Sequence, residues 1–418
     1  MLSEVPDEWT VDPLSKLLQP SLFIDGDWVE SKDQSLDGDV RLIQLADIGD
    51  GYFIDKSDRH LTKDAAYRLK CTFLKKGDLL IARMPDPLGR CCVFPLDGEE
   101  RFVTVVDVAV MRPHESFNAT WLMNLINSGY ARRFIEDKAG GTTRKRISRK
   151  NLGGLPLPVP PLNEQHRIAE ILSSVDASIQ ATQAVIEQAE RVKRGLMEEL
   201  LTGGLGGEAI ERGEVPEGWR LLPLGDFAKI KNGFAFKSEE FLSDDGADGD
   251  VSLVVRMSDF NGGYVDTSHC KRVQKTTAEG LEKFRLKQGD ILVAMSGATV
   301  GKLGRVPATS SELYLNQRVG CMQPTQCRGE FLWQLVNTPF FQATVLAAAT
   351  GNAQPNISSK ELEKILFALP PDSVQHRIVG VLTAFDDFIV KQRKIVEQQN
   401  RTKKGLMDDL LTGKVRTV

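Results

Sequence analysis

The sequence predicts a mixed α/β chain in which two α+β domains, related by an internal repeat, are separated by an antiparallel pair of long helices forming a coiled coil. Three observations carry that expectation. Strings in the second half restate strings of the first, in the same order, at an offset of 210 to 212 residues. Each half closes on apolar residues with the three-and-four spacing of a heptad seam. Only a short glycine-rich stretch, TGGLGGEAIERGE, joins the first seam to the second half.

The repeat sets the boundaries. VPDEW, from Val5, returns as VPEGW, and KKGDLLIA, from Lys75, returns as KQGDILVA. ISRKNL returns as ISSKEL, QHRI as QHRI, and KRGLMEELLTG as KKGLMDDLLTG. Between these anchors the halves barely match, so each is a shared frame around a private insert. The expected division is a first domain over 1–160, a long helix over 161–202, a linker over 203–214, a second domain over 215–371 and a second long helix over 372–414.

Within the inserts, TFLKKGDLLIARM, RFVTVVDVAVMRP and KQGDILVAMS read as strands rich in β-branched residues. ATWLMNLINSGYARRFIEDKA and FLWQLVNTPFFQATVLAAA each read as a helix. The proline-rich PLPVPPLNEQHRI then announces the first long helix, with Asn163 as its expected N-cap. Its seam is Ile168, Leu172, Val175, Ile179, Ile186, Ala189, Leu196 and Leu200, interrupted by Thr182 and Lys193. The second seam is Ile378, Leu382, Phe385, Ile389, Val396, Leu406 and Leu410, interrupted by Gln392, Gln399 and Lys403. A helix over 164–201 is about 57 Å long and cannot bury such a stripe alone. The linker, residues 202–214, reaches roughly 45 Å at most, so the second helix starts near the end of the first and runs back beside it.

Composition excludes several classes. Hydrophobic residues at 41% and charged residues at 26% are ordinary globular values. No run of about 18 apolar residues and no leader-like start occurs, so a cytoplasmic protein without membrane contact is expected. Six cysteines without a CxxC read as reduced, buried thiols, and no metal site is expected. GATVGK, from Gly297, is one residue short of a phosphate loop and has Leu303 where the metal-binding hydroxyl belongs. NTPF, from Asn337, stands in an apolar helical run without a glycine-rich cofactor loop, and no acid-acid-lysine nuclease cluster stands out. His166 and His376 recur in one context, which points to packing or partner contact. No catalytic residue is expected.

The net charge of −4 hides two basic clusters. Residues 131–150 carry Arg132, Arg133, Lys138, Arg144, Lys145, Arg146, Arg149 and Lys150 against two acids, and residues 268–287 include Lys271, Arg272 and Lys275. Gly140 and Gly141 let a backbone approach a phosphate, Thr142 and Thr143 offer hydroxyls, and the arginines can fork to phosphate or guanine. The matching stretch of the second half loses the charge but holds Asn352, Gln354 and Asn356, side chains suited to reading adenine. A merely solvated face is the competing reading of the basic loop.

In their duplicated order these anchors resemble the type I restriction-modification specificity subunits. The likeness rests on the KxGDILVA strand leading to SGATVGK, on LNQRVG from Leu315, on the isoleucine-serine step, and on PPLNEQHRI opening a helix that ends in GLMEELLTG. The resemblance implies two target recognition domains, each binding half of a split site in double-stranded DNA and held apart by the helices. It implies partners as well: two modification subunits that methylate adenine, and restriction subunits outside them. S-adenosylmethionine, ATP and Mg would belong to those partners, and this chain would bind no cofactor. A non-catalytic adaptor with two protein-binding end domains is the alternative.

Overall fold

The computed structural model describes residues 5–18, 21–85, 88–141, 144–205, 207–242, 250–349 and 355–417. Contacts divide the chain into residues 1–184 with 392–418, and residues 185–391. Each unit is α+β, and each receives one stretch of both long helices.

In the first unit, Phe23–Asp25, Val108–Met111, Leu79–Ala82 and Cys91–Val93 form a four-stranded antiparallel sheet. A three-stranded sheet orders His60–Leu61, Val40–Ile43 and Phe102–Thr104, the last two parallel. Frame residues close the unit, as Thr10–Pro13 pairs antiparallel with Pro156–Val159. The second unit repeats this plan. Arg220–Pro223 pairs with Leu366–Leu369, Lys271–Gln274, Val251–Val255 and Leu313–Leu315 form the three-stranded sheet, and the larger sheet grows to six strands around Ile291–Ala294.

The anchors are structural devices. In KKGDLLIA and KQGDILVA, Gly77 and Gly289 take φ of 90° and 86°, which a side chain disfavours. The next residue closes the turn, the carboxylates of Asp78 and Asp290 each accepting a backbone N–H, from Lys75 and Lys287, at 2.8 Å. All four residues of each following strand are buried. In the isoleucine-serine step, Ile147 and Ile357 plug the cores, while Ser148 and Ser358 cap short helices by accepting from Asn151 N and Glu361 N.

Both helices expected in the inserts are broken in two. Ala119–Asn127 ends at Ser128, whose extended backbone and side-chain bond to Ala131 N start Gly129–Lys138 afresh. Likewise Gly329–Val336 ends before Pro339, which opens Pro339–Ala349 at the position where proline costs least. The first long helix, Leu162–Thr202, starts before Asn163, because the Pro161 carbonyl accepts from Glu164 N and Gln165 N. Asn163 therefore lies inside the first turn instead of capping it. The second, Asp372–Leu410, ends short of the expected 414, and the linker contains a short helix, Gly207–Glu211.

Every seam position, including the polar interruptions, is buried or half-buried. The helices pack antiparallel within each unit. In the first, Ile168 and Leu172 share a core with Leu410 and Leu411; in the second, Met197 and Leu201 share one with Ile378 and Leu382. The interrupting lysines are paired, Lys403 with Asp176 and Lys193 with Asp386, each at 2.7 Å, a repeat of one ion pair at matched positions. One correction concerns the last turns. Met197, Leu201 and Leu411 are more deeply buried than Leu196, Leu200 and Leu406, because a 3.6-residue helix drifts off a 3.5-residue seam and there meets a domain core.

All six cysteines are unbridged, four of them buried and Cys71 and Cys327 half-buried. Burial pushes the thiols of Cys71, Cys92, Cys270, Cys321 and Cys327 up to about 12, and that of Cys91 well above its usual value. Among the described residues no cluster could hold a metal ion, and no helix is long and apolar enough to cross a membrane.

Candidate nucleic-acid interface

In each unit three segments converge at one end of the larger sheet. They are the turn after the last strand of the three-stranded sheet, the segment following the KxGD strand, and the loop before the short capped helix. In the first unit Arg83 N donates to Asp107 O and Ile147 N to Arg83 O, tying all three together. The second unit repeats the pattern with Met295 N to Arg318 O and Ile357 N to Met295 O. A glycine seals each corner, since a Cβ on Gly26 or Gly233 would lie 2.2 Å from Val105 O or 2.0 Å from Asn316 O.

The basic loop of the first unit is shaped by a two-way backbone pairing of Gly140 with Arg146, at 3.0 and 2.8 Å, with Gly141 at φ 104°. Arg146 is exposed but anchored to Asp107 Oδ1 at 3.0 Å. Arg83, beneath it, is buried against Asp25 at 3.0 Å, and desolvation lowers its pKa from the usual arginine value. Arg144 and Lys145 are exposed at the loop's tip and hold no ion pair among the described residues. Thr142 and Thr143 lie outside the described residues.

The remaining expected contacts differ in their commitments. Arg133 is exposed, whereas Arg132 is engaged internally by Asp50 at 2.7 Å, Leu88 O at 2.7 Å and Asn127 Oδ1 at 2.8 Å. Arg132 thus clasps its helix to two loops instead of facing a ligand. Arg149 is exposed and donates to Phe23 O at 3.1 Å.

In the second unit, Asn356 is exposed and bridges to Ser296, while Asn352 and Gln354 lie outside the described residues. Lys271 and Arg272 are half-buried on the edge strand of the three-stranded sheet, and Lys275 is paired with Asp250 at 2.7 Å. No hydrogen bond or ion pair among the described residues joins these three to Asn356. Sequence reasoning passed over Arg318, which is exposed on the turn matching Asp107. Its signal was available: the repeat aligns an acid in one half with a base in the other.

Among the described residues the arrangement offers cations, amides and glycine-shaped backbone. The histidines of the repeated QHR are exposed, and the buried member of that motif is the glutamine. Gln165 accepts from Asn118 N and donates to Pro160 O; Gln375 accepts from Arg328 N and donates to Pro370 O. Each glutamine fastens the start of a long helix to the start of an insert helix.

Comparison with known proteins decides what this duplicated frame is. Residues 6–191 and 216–398 match the family described as the type I restriction modification DNA specificity domain. The chain belongs to this family. Among its relatives, the type I restriction enzyme MjaVIII specificity subunit of Methanocaldococcus jannaschii is 30% identical over 295 residues, 68% of this chain and 67% of the relative. A putative MjaX specificity subunit of the same organism is 24% identical over 99% of this chain and 95% of its own length. A solved chain from a type I restriction-modification system superimposes with a TM-score of 0.59 at 16% identity, covering 99% of this chain and 100% of its own, a likeness of fold. DNA specificity in a type I restriction-modification system is the function that membership carries, and the specificity family contributes recognition, not catalysis.

Proposed function

We propose that each unit reads one half of a bipartite DNA target and that the chain directs adenine methylation or restriction by partner subunits in the cytoplasm. The observation that carries this reading is the same three-segment corner, built twice by one frame and finished with different side chains. Arg144, Lys145 and Arg146 with Arg133 offer phosphate and guanine contacts in the first unit; Arg318 and Asn356 offer guanine and adenine contacts in the second. Two readers of unlike sequence need unlike contacts on like supports. Two modification subunits carrying S-adenosylmethionine bind the frame, and restriction subunits using ATP and Mg join outside them; the chain itself holds no cofactor.

The test is reconstitution. The full chain with its modification subunits should transfer labelled methyl groups to a two-part site with an unread gap, and neither component alone should do so. Methyl transfer by the purified chain alone, or by the modification subunits without it at the same site, overturns the reading.

A further inference from the structure

The corner of the first unit holds a set of charges that its counterpart in the second unit lacks. Beneath the basic loop, the carbonyl oxygen of Val106 accepts from two guanidiniums, those of Arg83 and Arg146. Two carboxylates answer them: Asp25 lies 3.0 Å from Arg83, and Asp107 lies 3.0 Å from Arg146. Arg83 is 4% exposed, its Nε has no hydrogen-bond partner among the described residues, and desolvation, joined by a smaller repulsion from Arg146, lowers its pKa. Burying a cation so incompletely satisfied is costly, and packing does not demand it. The backbone bonds that tie the three segments equate Arg83 with Met295 and Asp107 with Arg318, and the buried isoleucines that follow equate Arg146 with Asn356. Strand register equates Asp25, opposite Ala109, with Asn232, opposite Gly320. A methionine therefore fills the place of Arg83 in the same fold, and all four positions differ between the units.

Such a set fits the task of holding one arginine in a fixed orientation. In Arg146 only Nη2 is engaged, by Asp107 Oδ1 and Val106 O; Nε and Nη1 have no partner among the described residues, and the side chain is 42% exposed. Guanine presents two acceptors, O6 and N7, side by side in the major groove, and a forked donor meets both only when its plane is set. A phosphate makes no such demand, and one placed at Arg146 would be repelled by Asp107. Arg144 and Lys145, exposed at the tip without an ion pair among the described residues, suit the phosphates instead. We infer that Arg146 reads a guanine of the first half-site and that Asp107, backed by Arg83 and Asp25, is the positioning residue that orients it. Arg83, of like charge, keeps the Arg146 guanidinium from turning inward. Asp107 holds one nitrogen and leaves the others for the base, so part of the ordering of a long, flexible side chain is complete before DNA arrives.

The inference rests on the reading of each unit as the reader of half a DNA target, and one experiment separates the two. The full chain with its modification subunits is given duplexes in which each base pair of the target is exchanged in turn, and kcat/KM for methylation is compared between duplexes. Arg146→Ala should lose about 5- to 140-fold of discrimination at one G·C pair of the first half-site, with the second half-site read as before. Arg146→Lys, which keeps the charge and cannot fork, should lose the same discrimination. Asp107→Asn should lose most of it at that same pair, and combining Asp107→Asn with Arg146→Ala should be no worse than Arg146→Ala alone. Each discrimination is a ratio taken on one protein preparation, so a variant that merely folds less well lowers both rates and leaves the ratio intact. Uniform weakening on every duplex by Arg146→Ala, with the salt slope lower by about 0.9, would make Arg146 a phosphate contact and overturn the inference. Full discrimination by Asp107→Asn or by Arg146→Lys overturns it too, as does a double variant worse than both single ones, which would make Asp107 a reader in its own right. Failure of the unaltered complex to methylate any two-part duplex overturns the functional reading and the inference with it.

Discussion

At the start of the first long helix Glu164 gathers hydrogen bonds from Trp9, Arg416 and Thr417; at the matching start of the second, Val374 and Trp219 line an open groove. The two junctions have the same helix ends and the same glycine, Gly203 or Gly413, in left-handed conformation beside Pro216 or Pro6. They differ in what joins them. After Thr202 the chain runs on covalently into the next frame strand, so no side chain is needed to hold the junction. After Thr412 it meets the far end of the sequence, and an ion pair, a cation-π contact and an indole hydrogen bond do that work. Identical frames therefore need unlike side chains where their connectivity differs.

Several measurements can break or sharpen that comparison. The largest effect belongs to the parts that the halves share: Gln165→Ala and Gln375→Ala should each cost about 2–4 kcal/mol, since each strands a buried N–H and a carbonyl. Chemical denaturation should show similar losses for both. A large loss for one and none for the other would deny that the frames are equivalent.

Next comes the latch. Glu164→Val copies the second half and should cost about 1–3 kcal/mol, whereas Val374→Glu, with Trp219 and Arg377 beside it but no counterpart of Arg416, should stabilise by less than that. Burial pushes the Glu164 carboxyl up but is outweighed by hydrogen bonds from Arg416, Trp9 and Thr417, which leave it below the usual range. Its stabilisation is thus complete above the unfolded glutamate range and lost as pH falls through the lowered value. Acid titration of stability should show that loss in the native chain and not in Glu164→Gln.

On DNA, Arg144→Ala with Lys145→Ala should lower the salt slope of binding by up to about 0.9 per lost phosphate contact, and Arg318→Ala should relax one base position by about 1–3 kcal/mol. Methylation mapping should place the two effects in different half-sites. Arg132→Ala, by contrast, should weaken the fold and leave the salt slope unchanged. A last effect concerns Asp27, which burial raises to about 6 and which aligns with Phe234 beside the sealed corner. Because its folded pKa is raised, stability should fall as pH climbs from about 4 through 6, and Asp27→Asn should remove that slope.

The seams and their direction were legible in the sequence because burial on a long helix is periodic and a short linker leaves one return path. The repeat itself exposed Ile147, Ser148, Asp78 and their counterparts as frame. What escaped reading depended on partners distant in sequence. Nothing local tells Arg132, clasped by Asp50, from exposed Arg133, or marks Gln165 and not His166 as the buried residue of its motif. The helix breaks at Ser128 and before Pro339 were local, and were overridden in reading by the apolar run around them.

The unbridged cysteines have a practical consequence. Thiolate is the reacting form, and burial keeps all six thiols far from it at neutral pH. A maleimide dye or spin label should therefore ignore the native chain and find only an added, exposed cysteine. Fluorophores at Ser173 and Glu397, both exposed on the long helices, could then report on assembly without first stripping the protein of its own sulfur.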